Sequence, residues 1–144
     1  GFEIGKFFWK TLDMYADKCI HVYMINEVES FKALGEETRL RIMRIMLKAE
    51  SELCACEIID VLDKPQYTIS KSLGTLVGAG FLSERRDGRM MFYALIRNAF
   101  TTPIHESIRQ ISCDSNAAFK DDFKRLAKRL AGRKNGKCSD SCGS

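Results

Sequence analysis

Residues 65–96, PQYTISKSLGTLVGAGFLSERRDGRMMFYALI, decide the fold. Pro65 has a φ already near the helical value and no N–H to leave unpaired, so it suits the first position of a helix. That helix is expected over 65–78, with Ile69, Leu73, Leu76 and Val77 on one face. Tyr67, Thr68, Lys71, Gly74 and Thr75 lie opposite. Gly78-Ala79-Gly80 ends it. The stretch from Phe81 to Ile96 then reads as two strands joined at Asp87-Gly88, a dipeptide that tolerates the positive φ of a tight hairpin turn.

Upstream, EVESFKALG (27–35) carries Val28, Phe31 and Leu34 at helical spacing and stops at Gly35. EETRLRIMRIMLKAE (36–50) is apolar on a broad face through Leu40, Ile42, Met43, Ile45, Met46 and Leu47, the pattern of a central helix. Ser51 reads as the N-cap of a short helix over 52–62, before Asp63-Lys64-Pro65 breaks the chain. Downstream, Thr101 or Thr102 is expected to cap a helix with Pro103 at its start. SCDSN (112–116) interrupts it and Ser115 recaps it. Phe119, Phe123, Leu126, Ala127 and Leu130 form the last apolar stripe, and Gly132 closes it.

Short helix, turn, helix and two-stranded wing, in that order, describe a winged helix-turn-helix, mainly α with a small β-hairpin. The expected layout is one domain over 1–131. It comprises an N-terminal helical extension (1–26), a DNA-binding core (27–97) and one or two C-terminal dimerisation helices (99–131). A flexible cysteine-containing tail follows over 132–144. The flanking amphipathic helices fit a homodimer, because the core between them is small.

The chain has 144 residues and net charge +4. Residues 1–60 hold 11 acids against 8 bases, 61–100 hold 3 against 6, and 101–144 hold 5 against 9. The basic excess therefore lies in the half that contains the hairpin, as expected of a surface that meets a polyanion. The first 24 residues are aromatic and apolar but broken by Lys6, Lys10, Asp13, Asp17 and Lys18, which reads as a helix rather than a signal peptide. No run is long enough for a membrane span, so a cytoplasmic protein with reduced thiols is expected. No Ser-His-Asp set, phosphate loop or carboxylate pair points to an enzyme.

Double-stranded DNA is the expected partner. Gln66, Tyr67, Thr68, Ser70 and Lys71 occupy the start of the helix that would enter the major groove, where Gln reads adenine, Ser and Thr read either partner, and Lys meets guanine or phosphate. Arg85, Arg86 and Arg89 crowd the hairpin tip, as a wing along a phosphate backbone requires.

Six cysteines are present: Cys19, Cys54, Cys56, Cys113, Cys138 and Cys142. Cys54 and Cys56 share the short helix of SELCACEI (51–58). Residues i and i+2 of an α-helix are separated by about 200° around the axis, so both sulfurs reach one ion only if the first turn unwinds or one thiol comes from a position already frayed. Thiolates favour soft ions, and a place in a helix's first turn raises the thiolate fraction. The third thiol is open among Cys19, Cys113, Cys138 and Cys142. His21 and His105 read as surface or capping groups.

Taken together, FKALGEETRLRIMRIML, ELCACEI and PQYTISKSLGTLVGAGFLSERRDGRMMFYAL resemble the ArsR/SmtB family of metal-responsive repressors over about residues 27–96. The resemblance implies a homodimer that holds an operator and leaves it when an ion binds, with no permanent cofactor. It also implies that the first and last helices form the dimer interface. ELCACEI resembles the family's metal box, which in the arsenic-sensing branch binds arsenite or antimonite. A third cysteine often follows three residues after the second; here that position is Ile59. The cadmium- and lead-sensing branch completes such a pair with a thiol from an N-terminal extension, and Cys19 matches that place, leaving cadmium, lead or zinc as alternative inducers. A redox switch through a disulfide between subunits is the remaining alternative. The carboxylate–histidine pairs of zinc-sensing members have no match, since His105-Glu106 is not spaced that way.

Overall fold

The computed structural model describes residues 27–134, 136 and 138. The N-terminal extension with Cys19 and His21, and Cys142 in the tail, lie outside the described residues. Helix α1 covers 27–34, and α2 follows as Glu37–Ala49. The next elements are β1 (Leu53–Cys54), α3 (Ala55–Leu62), α4 (Gln66–Gly78) and strands β2 (Leu82–Asp87) and β3 (Met90–Leu95). Helix α5 (Thr101–Arg109), a 3-10 turn at Cys113–Ser115 and α6 (Ala117–Ala131) complete the chain.

Helix α2 is the centre, with every residue from Arg41 to Leu47 buried. Its N-terminus is capped by Glu36, whose carboxylate accepts from the backbone N–H of Thr38 (2.9 Å) and Arg39 (3.0 Å). Ile42, Met43, Ile45 and Met46 meet Ile58 and Val61 of α3, Ile69, Leu73 and Leu76 of α4, and Phe81 and Leu82 of the wing. Burial of this set supplies most of the driving force that holds the helix-turn-helix in place. Ser30 Oγ donates to the Ala79 carbonyl at 2.8 Å and ties α1 to the end of α4.

The hairpin forms as expected, with a shift at its tip. Asp87 pairs with Met90, so the two-residue loop is Gly88-Arg89 rather than Asp87-Gly88. Gly88 takes the positive φ, 62°. A third strand was not legible in the sequence. Leu53 and Cys54 pair antiparallel with Tyr93 and Phe92, giving a three-stranded sheet in the order β1-β3-β2.

This strand moves the start of α3. Ser51 is not its N-cap; Cys54 is, with φ −83° and ψ 158°, and the first helical residue is Ala55. Ladder bonds to β3 hold the segment extended where local propensity favoured a helix. Two other caps differ in the same way. Asn98 Oδ1 accepts from the N–H of Phe100 (2.9 Å) and Thr101 (2.8 Å) before α5, which places Pro103 two residues into the helix. Asn116, not Ser115, caps α6, accepting from the N–H of Ala118 at 2.9 Å.

Candidate functional site

The two thiols of the CxC pair sit on either side of a strand-to-helix junction. Cys54 is extended and fully buried, while Cys56 is the second residue of α3 and half-buried. Because Cys54 is not helical, the expected 200° divergence does not arise. Its Sγ lies 3.8 Å from that of Cys56. Unwinding of the first turn is therefore not needed: Cys54 stands outside the regular helix, and the strand pairing has already turned it to the side of Cys56.

Cys138 joins them. It is disulfide-linked to Cys54 across 84 residues of sequence, with Cα atoms 6.8 Å apart. The carboxylate of Glu57 lies in the same cluster, its oxygen and the sulfurs of Cys54 and Cys138 all falling within 4.8 Å of one another. Once reduced to thiols, sulfurs so placed, beside a carboxylate at the N-terminal end of a helix, could hold a soft ion mainly by thiolate. Cys113 stands apart. It is half-buried at the 3-10 turn, and Arg44 Nη2 donates to its sulfur at 3.2 Å.

Glu57 organises the junction. Only 1% exposed, it accepts the Cys54 N–H at 3.0 Å and two donors of Arg133, Nε at 2.7 Å and Nη2 at 2.8 Å. Arg133 Nη2 also reaches the Glu52 carbonyl at 2.9 Å, and Nη1 the Ser51 hydroxyl at 3.4 Å. Arg133 is one of a row on α6 and its extension that lies along α3. Arg125 Nε donates to the Val61 carbonyl at the C-terminal end of α3, and Arg129 pairs with Asp60 at 3.3 Å. Beneath them, buried Arg41 grips Asp122 of α6 through Nε (2.8 Å) and Nη2 (2.7 Å) and donates to the Leu62 carbonyl. That two-bond grip holds the Arg41 guanidinium above its ordinary range, ahead of the opposing effect of burial.

The sequence reading missed Arg133 and the bonding role of Glu57. The Arg125, Arg129, Arg133 spacing is a visible helical row, but nothing local says which surface it meets. The site is also tied to the wing. Cys54 pairs with Phe92, and Phe92 pairs with Arg85, so one rung of the sheet runs from Cys54 to the hairpin.

The expected DNA-reading residues take different places. Gln66, Tyr67, Ser70 and Lys71 line the solvent face of α4, with Tyr67 77% exposed; Thr68 is half-buried. Ile69, Ser72, Leu73 and Leu76 hold the opposite face in the core. Of the wing arginines, Arg89 is exposed and Arg86 Nε touches the Gly88 carbonyl at 3.3 Å. Arg85 is more engaged. It binds Glu52 through Nη2 (2.6 Å) and Nε (3.2 Å) and lies over the Phe92 ring at 4.6 Å.

A buried helix-turn-helix with one solvent-facing polar helix and a basic hairpin is the arrangement of the winged helix-turn-helix class of transcriptional regulators. The family model for bacterial regulatory proteins of the arsR family matches residues 36–84. The chain is 32% identical over 110 residues to the arsenic resistance transcriptional regulator ArsR2 of Pseudomonas putida, spanning 76% of this chain and 93% of that one. It is 44% identical over 68 residues to the HTH-type transcriptional regulator MJ1325 of Methanocaldococcus jannaschii, covering 47% of this chain and 75% of the relative. Among solved structures, HlyU from Vibrio cholerae aligns with TM-score 0.55 and 25% identity over 63% of this chain and 96% of that one. The chain belongs to the ArsR family. None of its described helices is long and apolar enough to cross a membrane.

Proposed function

We propose that the protein is a cytoplasmic, dimeric repressor that releases its operator when a thiophilic ion binds at Cys54 and Cys56, with arsenite or antimonite as inducer. The observation that carries this reading is the 3.8 Å approach of the two sulfurs at the joint between β1 and α3. That joint touches both DNA-facing elements. On one side it hydrogen-bonds to the wing through β3; on the other, α3 packs on α4 and sets its angle. A local change there needs to supply a coupling of only about 1–3 kcal/mol to weaken operator affinity 5–150-fold. The arsenic resistance named for the Pseudomonas putida relative supports the choice of inducer.

In this reading Gln66, Tyr67, Thr68, Ser70 and Lys71 approach base edges, while Arg86 and Arg89 meet phosphate and Arg85 does so after leaving Glu52. Val28 and Phe31 on α1 and Phe100 beside α5 are exposed apolar side chains, and the two rings meet edge-on with centroids 6.0 Å apart. Contiguous apolar groups on the flanking helices are what a homodimer would cover.

The test is anisotropy titration on a duplex selected from a random library, with the protein reduced. Cys54→Ser and Cys56→Ser should each hold DNA with unchanged affinity and fail to release it on adding arsenite. Normal release from both variants overturns the reading.

A further inference from the structure

We infer that the chain completes its own ion site with the tail thiol Cys138, and that Arg133 is the positioning residue that brings it there. The inference rests on the proposed role of Cys54 and Cys56, and it replaces the N-terminal Cys19 as third ligand.

The geometry argues from both ends of the tail. At one end, Arg133 is fixed by two hydrogen bonds to Glu57 and one to the Glu52 carbonyl, with its side chain only 13% exposed. At the other end, five residues on, the Cys138 sulfur lies on Cys54. The same Glu57 carboxylate that holds Arg133 also holds the Cys54 N–H and lies within 4.8 Å of both sulfurs. One buried acid thus sets the strand thiol and the tail together. Helix α6 ends at Ala131, so the loop to Cys138 is short with or without the anchor and little closure entropy is saved. What Arg133 adds is direction: its bonds to Glu57 and the Glu52 carbonyl set the course of the tail toward Cys54.

The chemical class of ligand is a three-thiolate ion, of which arsenite is the uncharged precursor. Three thiols displace the three hydroxyls of arsenous acid, forming three As–S bonds and releasing three waters, with no change in oxidation state. Cys56 is disulfide-bonded as well, so two links must first be opened, Cys54–Cys138 and that of Cys56: for each, a phosphine reductant takes the oxygen of one water, becomes the phosphine oxide, and leaves two thiols.

The experiment uses the full-length chain, reduced with a phosphine and then freed of it. Arsenic K-edge absorption counts sulfur neighbours and calorimetry gives affinity. Wild type should show three sulfurs and Cys138→Ser two, while Cys19→Ser keeps three. Arg133→Ala should keep three sulfurs at saturation but bind arsenite about 10–100-fold more weakly, as loss of a residue behind the ligand shell does. The double variant should bind no more weakly than Cys138→Ser alone, because Arg133 acts through that thiol. Arg133→Lys, a charge without the two-pronged fork, should fall between wild type and Arg133→Ala. An unchanged sulfur count in Cys138→Ser, or a loss in Cys19→Ser, overturns the assignment of the tail thiol. Additive losses in the double variant overturn the role of Arg133. If Cys54→Ser still shows three sulfurs, the proposed CxC site itself fails, which is a separate result.

Discussion

Helices α3 and α4 are adjacent and share one apolar core, yet they are held in different ways. Helix α4 is fixed from one side only: Ile69, Leu73 and Leu76 are fully buried, and its other face is solvent. Helix α3 has the same kind of apolar anchor in Ile58, Val61 and Leu62, but its remaining surface is bound by charge. Arg41, Arg125, Arg129 and Arg133 reach it at its C-terminal carbonyls, at Asp60 and at Glu57. Under the proposed function the contrast separates two tasks. A reading helix must leave its polar face unpaired so that DNA can pair with it. A sensing helix can be held by directional bonds, which break or shift in discrete steps when a ligand competes for them. Apolar contacts alone would yield little to an ion.

The contrast is most open to breaking at Asp122, where the largest effect is expected. Asp122 is 1% exposed and carries the two-bond grip of Arg41 and a third bond from Arg125. Asp122→Ala strands a buried guanidinium and should lower stability by about 3–5 kcal/mol. Urea unfolding measures it; a loss under 1 kcal/mol would mean that α6 is an ornament on α3 and not its support.

The opposite face gives a smaller, different effect. Arg86 is exposed and makes no ion pair among the described residues, so Arg86→Ala should leave unfolding unchanged. DNA binding should weaken alike for all sequences, and the slope of log affinity against log salt should fall by about 1. Anisotropy titrations over a range of salt read the slope, and an unaltered value removes the wing from the phosphate backbone.

The smallest effect lies outside both helices. His105 on α5 is buried rather than at the surface as its sequence context suggested, and its Nε2 has no partner among the described residues. Burial first, and then the charges of Arg97 and Arg109, push its pKa below 6.5. Above that value the imidazole is neutral folded and unfolded, and contributes no pH dependence. As the pH falls through it, the unfolded chain takes up the proton first, so stability declines until the folded form also protonates. His105→Gln should flatten this part of a plot of melting temperature against pH. An identical slope in the variant would assign it to other groups.

Much of this was legible in the residues. Helix α4 runs over Gln66–Gly78 against the expected 65–78, because its apolar period, Pro65 and Gly78 are all local signals. The hairpin was equally plain from Asp87-Gly88, and only its turn slipped by one residue. The 51–58 segment was misread because its structure is not local. Ser51 and the acids after it have the chemistry of a helix start, but Leu53 and Cys54 are held extended by Tyr93 and Phe92, some forty residues away.

The order of elements, the basic wing and the soft-ligand pair follow from sequence alone, because periodicity, turn chemistry and residue type act over a few neighbouring positions. Where the two sulfurs point, and which distant groups stand beside them, was decided by the assembled fold. Pairing of β1 with the wing, and the Arg133–Glu57 contact across 76 residues, exist only once the core has closed. No local pattern encodes a partner that far along the chain.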